Sequence, residues 1–265
     1  MNPEFEVKGQ SVKNKTCVLM KRPVGDIKDD DLQVREVTLD CTLKDGEVLV
    51  RVELISLDPT HRVWMGEKDS YLPAVKLGAV MRAGGAGYVV KSKDPKLPVG
   101  TFVGGLCGVQ EYFIATNTGA TGIFSAVRKL DDSLPHSTYM SLLAPHIGGT
   151  AYTGTFDICG KNVGPGKTFV VSGASGAVGS LAGQLAKIRG ARVVGIVGSK
   201  EKVRRCLEDY KFDGAINYKV GKCLINLHIK RVISFIKKRI GYLCQEIIIF
   251  LPLFRLMTFQ LSLRN

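Results

Sequence analysis

The sequence predicts an α/β chain that joins a small, strongly bent β barrel to an incomplete parallel sheet. Three observations point there: short strands cornered by Gly and Pro through the first half, a strand, glycine turn and helix in succession at 166–188, and the loss of that rhythm after Lys219. The 265 residues are 45% hydrophobic and 8% aromatic, which supplies core for one large or two ordinary domains. Fibrous, collagen-like and wholly disordered readings are excluded.

Taken in order, Lys15 to Leu19 begins a strand, and Glu47 to Leu57 alternates apolar and polar residues with period two, as a half-buried strand does. Turn signals follow at Lys44-Asp45-Gly46, Asp58-Pro59, Leu77-Gly78, Gly84 to Gly87, Pro98-Val99-Gly100 and Gly104-Gly105. Short strands between such corners describe a bent barrel. Gly84 to Val90 and Lys96 to Val103 read as two strands, with Pro98 and Gly100 setting the turn. In this half His61 has no Cys, Asp or His at metal-ligand spacing, and Asp58 reads as a turn cap or an ion-pair partner of Arg62. His136 and His146 stand apart from any partner, and no GxSxG or paired cysteine nucleophile occurs.

The second half starts with Gly166 to Ser172, a β-branched run suited to a buried parallel strand. It enters Gly173-Ala174-Ser175-Gly176-Ala177-Val178-Gly179 and then a helix whose Leu181, Leu185 and Ile188 share a face. In that context a glycine turn has chemical meaning, because N–H groups at the helix N-terminus can receive a pyrophosphate. Arg192 to Gly198 is a second strand. An NAD site would place Asp or Glu at its end for the ribose 2′-hydroxyl. Gly198-Ser199-Lys200-Glu201-Lys202 stands there instead, with small residues leaving room for a 2′-phosphate and Lys200 or Lys202 to balance it, so NADP(H) is favoured. Lys202 to Tyr210 reads as a helix and Gly214 to Lys219 as the start of a third strand.

Composition then changes. The chain holds 37 Lys+Arg against 24 Asp+Glu, a formal +13. Residues 220–265 account for +7 of it, with eight basic residues and only Glu246 as an acid. Ile, Leu and Phe fill 20 of those 46 positions, while Ala and Asp are missing. The seven cysteines, Cys17, Cys41, Cys107, Cys159, Cys206, Cys223 and Cys244, are scattered with neither CxxC nor zinc-finger spacing. Together with an acidic, polar start in place of a secretory signal, they give a reduced, cytoplasmic reading.

Tyr139 to Leu143, Gly149 to Tyr152, Val171 to Ser180, Gly198 to Lys202 and Ile216 to Lys219 together carry a family likeness. Over residues 14 to 219 the chain resembles the zinc-independent medium-chain dehydrogenase/reductases. It is most similar to the NADPH-dependent alkenal and prostaglandin reductases, also called leukotriene B4 12-hydroxydehydrogenases. The resemblance implies a GroES-like substrate domain over 1–148, an incomplete NADP-binding Rossmann sheet over 149–219, and a tail at 220–265 outside the family pattern. It implies hydride transfer from NADPH to the β-carbon of an α,β-unsaturated ketone or aldehyde, with a proton reaching the α-carbon. Carried over by motif, Gly176, Ala177, Val178 and Gly179, in the turn opened by Gly173, contact the pyrophosphate. Lys202 and Tyr218, beside Ser199, neighbour the 2′-phosphate, and Thr150 lies near the nicotinamide. No catalytic residue is assigned. No metal is implied, since Leu57 to Arg62 lacks the cysteine of the zinc-dependent cousins and no four-cysteine lobe occurs. Thr60 and His61 replace residues common in the family, so the substrate pocket is expected to differ.

The tail admits three readings: a splice variant, retained intron or frameshift; a membrane anchor about Ile247 to Leu253, whose apolar run is far short of the roughly 20 residues a span needs; or a basic amphipathic helix over Leu224 to Ile240. No aromatic interleaving supports nucleic-acid binding, and a membrane partner is not expected. Half a parallel sheet is expected to leave a strand edge unpaired and turnover weak or absent. The expected partner is a small enone or enal, with a family homodimer if the fold were complete. Against the reductase stand a catalytically inactive isoform that binds cofactor or a subunit, and a quinone oxidoreductase.

Overall fold

A computed structural model describes residues 7–70, 72–116 and 126–220 and the backbone of 247–250. The chain divides into two compact units at Met140/Ser141. The glycine-rich segment Pro145–Gly149, placed partly before the boundary by the sequence reading, thus folds with the second unit.

In the first unit, β1 (Ser11–Leu19) pairs antiparallel with β2 (Leu32–Asp40). The larger sheet joins β3 (Glu47–Ile55), β4 (Gly84–Ser92), β5 (Phe102–Leu106), β6 (Tyr112–Thr116) and β7 (Val127–Lys129) in the antiparallel order β6-β3-β4-β5-β7. Alternation along β3 sends Val48 and Val50 into one core with Val89, Val103 and Phe113 and Leu49 into another with Cys41, Leu43 and Val90, and register shifts after Leu49 and Val52 bend the strand. Glycine permits the bend: a Cβ on Gly87 would strike the backbone carbonyl of Arg51 across the sheet. A short helix, α1 (Thr60–Trp64), buries Trp64 against Leu19, Met65, Val75 and Met81. The second of the paired strands expected about Gly84 to Val103 begins at Phe102 rather than Lys96. Residues 96–100 are the turn itself, in which Pro98 O accepts from Thr101 N at 3.1 Å and Gly100 takes φ +87°. The unit closes with α2 (His136–Met140), held by Tyr139 among Ala86, Phe102 and Leu130.

The second unit opens with two π-helical turns, Pro145–Gly149 and Thr153–Ile158, on either side of α3 (Thr150–Tyr152). β8 (Thr168–Ser172), α4 (Ala177–Ile188), β9 (Arg192–Val197), α5 (Lys200–Arg204, continued by a π turn to Asp209) and β10 (Gly214–Asn217) follow in βαβαβ order. The strands are parallel, as βαβ crossovers require. Phe169, Val171 and Val193 are fully buried beneath α4, whose Ala182 and Ala186 permit close approach to the sheet. Burying each large apolar side chain contributes roughly 1.5–3 kcal/mol before entropy is subtracted.

The edge of β8 departs from expectation. It is not left unpaired: β11 (Ile247–Phe250) lies parallel to it, giving the order β10-β9-β8-β11. A run of three isoleucines and a phenylalanine, too short to span a bilayer, has the β propensity of a strand. The amphipathic helix considered for Leu224 to Ile240 falls outside the described residues. Among those residues no helix is long and apolar enough to cross a membrane.

Candidate functional site

The site is built at the carboxyl edge of the parallel sheet. β8 ends at Ser172, and Gly173 turns the chain with φ +64°, a conformation costly for any residue bearing a Cβ. Gly173 O accepts from Gly176 N at 2.8 Å, closing the turn. Gly176, extended at φ −81° and ψ 169°, becomes the N-cap of α4 without a side chain to cap it. First-turn N–H groups have no intrahelical acceptor, so those of Ala177, Val178 and Gly179 remain available to an anion. No acidic residue occupies that turn to compete. Gly179 lets the helix sit close, since a Cβ there would strike Gly173 O. Ala174 N donates to Ile196 O at 3.3 Å, tying the turn to β9.

A second cluster forms where β9 ends. Ser199 Oγ accepts from Lys202 N at 3.2 Å and caps α5. The carboxylate of Glu201 pairs with Arg205, one turn further on, at 3.2 Å, and among the described residues neither Lys200 nor Lys202 joins an ion pair. Tyr218 N donates to Val197 O at 3.0 Å, and the phenol ring lies on Gly198, where a Cβ would be 2.9 Å from its hydroxyl. Tyr218 keeps 47% exposure. The result is a rim of small residues with exposed ammonium groups, a phenol and no carboxylate at the strand end.

The structure therefore brings Gly173, Gly176, Ala177, Val178 and Gly179 together in one turn, and Ser199, Lys202 and Tyr218 together on the adjoining rim. Thr150 is placed differently, on α3, where its hydroxyl donates to His146 O at 3.1 Å. Sequence reasoning passed over Gly198 as the platform for Tyr218, and over Gly183 and Gly195, where Cβ atoms would enter the Phe212 ring and crowd Ala174. A glycine inside a strand or helix was the available signal.

Candidates in the first unit are structural. His61 is buried, its Nδ1 accepts from Asp58 N at 3.1 Å, and its ring meets Trp64 edge-on at 5.4 Å. Arg62 donates to Pro23 O and Gly25 O. His136 stacks on Phe102 at 4.2 Å, with Nε2 3.2 Å from Tyr88 Oη. Burial pushes the Cys107 thiol up to about 12, far from a nucleophile's range. Among the described residues no three His, Cys, Asp or Glu gather to hold a metal.

A bent antiparallel barrel followed by a parallel sheet with an uncapped glycine turn defines the class: a two-unit oxidoreductase fold of the medium-chain dehydrogenase type. Residues 15–123 match the family described as the N-terminal domain of oxidoreductase. A 2-alkenal reductase (NADP(+)-dependent) of Nicotiana tabacum is 36% identical over 213 residues, 79% of this chain and 60% of the relative. Prostaglandin reductase 1 of Bos taurus is 37% identical over 210 residues, 79% of this chain and 59% of the relative. The crystal structure of CurA in complex with NADPH from Vibrio vulnificus superposes with a TM-score of 0.71 at 30% identity, covering 83% of this chain and 62% of that one. Over these residues the chain is similar to NADP-dependent reductases of the alkenal and prostaglandin type. It spans about 60% of the length of those relatives.

Proposed function

We propose that this chain is a cytoplasmic NADPH-dependent reductase of the carbon–carbon double bond in small α,β-unsaturated ketones and aldehydes, with the family's homodimer expected only of a complete fold. The observation that carries the reading is the pairing of an uncapped helix N-terminus at Gly176 with a rim that bears Ser199, Lys202 and Tyr218 and no strand-end carboxylate. The donor set fits a phosphorylated dinucleotide on both counts. N–H groups of Ala177, Val178 and Gly179 hold the pyrophosphate, with Gly173 and Gly176 clearing its approach. Lys202 neutralises the 2′-phosphate, the Ser199 hydroxyl and Tyr218 bound its pocket, and Thr150 lies toward the nicotinamide. The bound cofactor supplies hydride to the β-carbon. What the protein adds is orientation and the removal of a carboxylate that would repel the phosphate. Turnover is expected to be slow, because residues 220–265 carry none of the motifs that accompany substrate binding in the family.

Titration of cofactor fluorescence tests the reading. The chain is expected to bind NADPH well ahead of NADH, and Lys202→Ala to lose about tenfold toward NADPH, the worth of one charge-assisted contact, with NADH unchanged. Equal affinity for the two cofactors, or indifference of NADPH to Lys202→Ala, would overturn it.

A further inference from the structure

The glycines of the turn and the glycine of the rim answer different demands. Gly173 takes φ +64°, and a Cβ on Gly179 would strike the backbone of the turn at Gly173. Gly198 meets neither demand. Its φ lies outside the left-handed region, so its backbone would accept any residue. The three atoms nearest to a Cβ built on it all belong to one side chain: the Tyr218 hydroxyl at 2.9 Å, and its Cε1 and Cζ at 3.1 Å. What asks for glycine here is the phenol.

Backbone contacts bring the phenol to that place. Asn217 is paired with Val197 at the end of β10, and Tyr218 N donates to Val197 O at 3.0 Å. Asn217 Oδ1 then accepts from Lys219 N at 3.0 Å and turns the chain just past the strand. With its own N–H held on the last residue of β9, Tyr218 lays its ring beside the residue that follows. Tyr218 is 47% exposed, so a side chain at position 198 would expel the ring to solvent and leave β9 and β10 paired. We infer that Gly198 is a positioning residue for the phosphorylated end of the cofactor, acting through Tyr218 by leaving open the place at the strand end where the phenol bounds the 2′-phosphate pocket. This rests on the cofactor site proposed above. In an NAD site the end of this strand carries the carboxylate that holds the ribose 2′-hydroxyl. Phenol and strand-end side chain therefore exclude one another, and the preference for a phosphorylated cofactor depends on the pair as well as on the missing carboxylate.

A double-mutant cycle in the full-length chain tests this, with NADPH and NADH titrated by cofactor fluorescence. Tyr218→Ala and Gly198→Ala are each expected to weaken NADPH about fivefold, the worth of one polar contact, and to leave NADH within about twofold. Retained NADH affinity also shows that the unit is folded. The two changes together are expected to cost no more than either alone, because Gly198→Ala then has no ring to expel. NADPH affinity unchanged in either single variant, or losses that multiply to about 25-fold in the double variant, would overturn the inference and leave the proposed function standing. Equal affinity of the unsubstituted chain for the two cofactors would overturn both. Should Gly198→Ala lose both cofactors, the double variant decides: NADH binding regained once the phenol is gone supports the exclusion, and NADH binding still absent overturns it.

Discussion

The two units solve the problem of closing a sheet in opposite ways. In the barrel every strand of the large sheet pairs antiparallel with its neighbours; the turn at Pro98 to Thr101 joins β4 to β5 locally, whereas β3 meets β4 and β6 only across long stretches of chain. Its costs fall on backbone proximity, met by glycines at 85, 87 and 105, where any Cβ would strike a carbonyl of the adjoining chain. The parallel unit has no such freedom to use local turns. Each pair needs a crossover, and the partner on the far side of β8 is supplied from residue 247, thirty residues after β10 ends at Asn217. Both units contain pairings remote in sequence, but only the parallel one must, because no tight turn can join parallel neighbours.

The comparison breaks most visibly at Gly87. A methyl group there meets Arg51 O, and both the carbonyl carbon of Arg51 and Val52 Cα within 3 Å, all of them β3 backbone that cannot yield without parting β3 from β4. Gly87→Ala is expected to cost the barrel roughly 3 kcal/mol or more. The chain's single tryptophan, buried Trp64, reports this unit alone, so the shift is read as a lower denaturation midpoint of its fluorescence. A change below about 1 kcal/mol would mean the strands separate more easily than the packing implies. Gly179→Ala is the counterpart in the second unit and a smaller lesion, because α4 can tilt from the turn. It is expected to weaken NADPH about tenfold or more while the Trp64 transition stays in place. A moved Trp64 midpoint would show that the two units do not unfold separately.

How much of this was legible follows from what each element asks of its own residues. β3, β8, β9 and β10 were found close to their observed bounds, because period-two alternation or β-branched runs mark them directly. The glycine turn was equally plain, since three constraints act there at once: positive φ at Gly173, an uncapped terminus at Gly176 and close approach at Gly179. β2 went unread because exposure on both faces removes the alternation, leaving Val34 71% and Val37 44% exposed. The π turns leave no mark in residue choice. β11 was invisible for a different reason, since four apolar residues do not announce which strand they pair with, and that partner begins 79 positions upstream at Thr168. Lys202, Ser199 and Tyr218 were placed by motif, whereas the contact that unites Tyr218 with the rim, through Gly198, exists only in three dimensions.

The smallest expected effect concerns what secures the parallel unit besides its strands. Asp213 Oδ2 accepts from Val193 N at 2.7 Å, and Lys187 Nζ lies 3.0 Å from both carboxylate oxygens, so one side chain ties α4 and the lead into β10 to the start of β9. The Val193 N–H, aided by Lys187, holds this carboxyl below its usual range. A carboxylate depressed in the folded state stabilises fully above its unfolded value, near 3.9, and that stabilisation is lost as pH falls through the folded value beneath it. With its side chain 36% exposed, solvent screening reduces the gain to about 1 kcal/mol. Asp213→Asn retains an acceptor for Val193 N but gives up the charge facing Lys187. Hydrogen exchange of the β9 amides is expected to quicken about fivefold in this variant at pH 7 and to match the parent at an acid pH below the lowered value of Asp213, where both side chains are neutral. An equal difference at both pH values would assign the tie to shape and not to charge, and would make the parallel unit less dependent on side-chain electrostatics than its open sheet suggests.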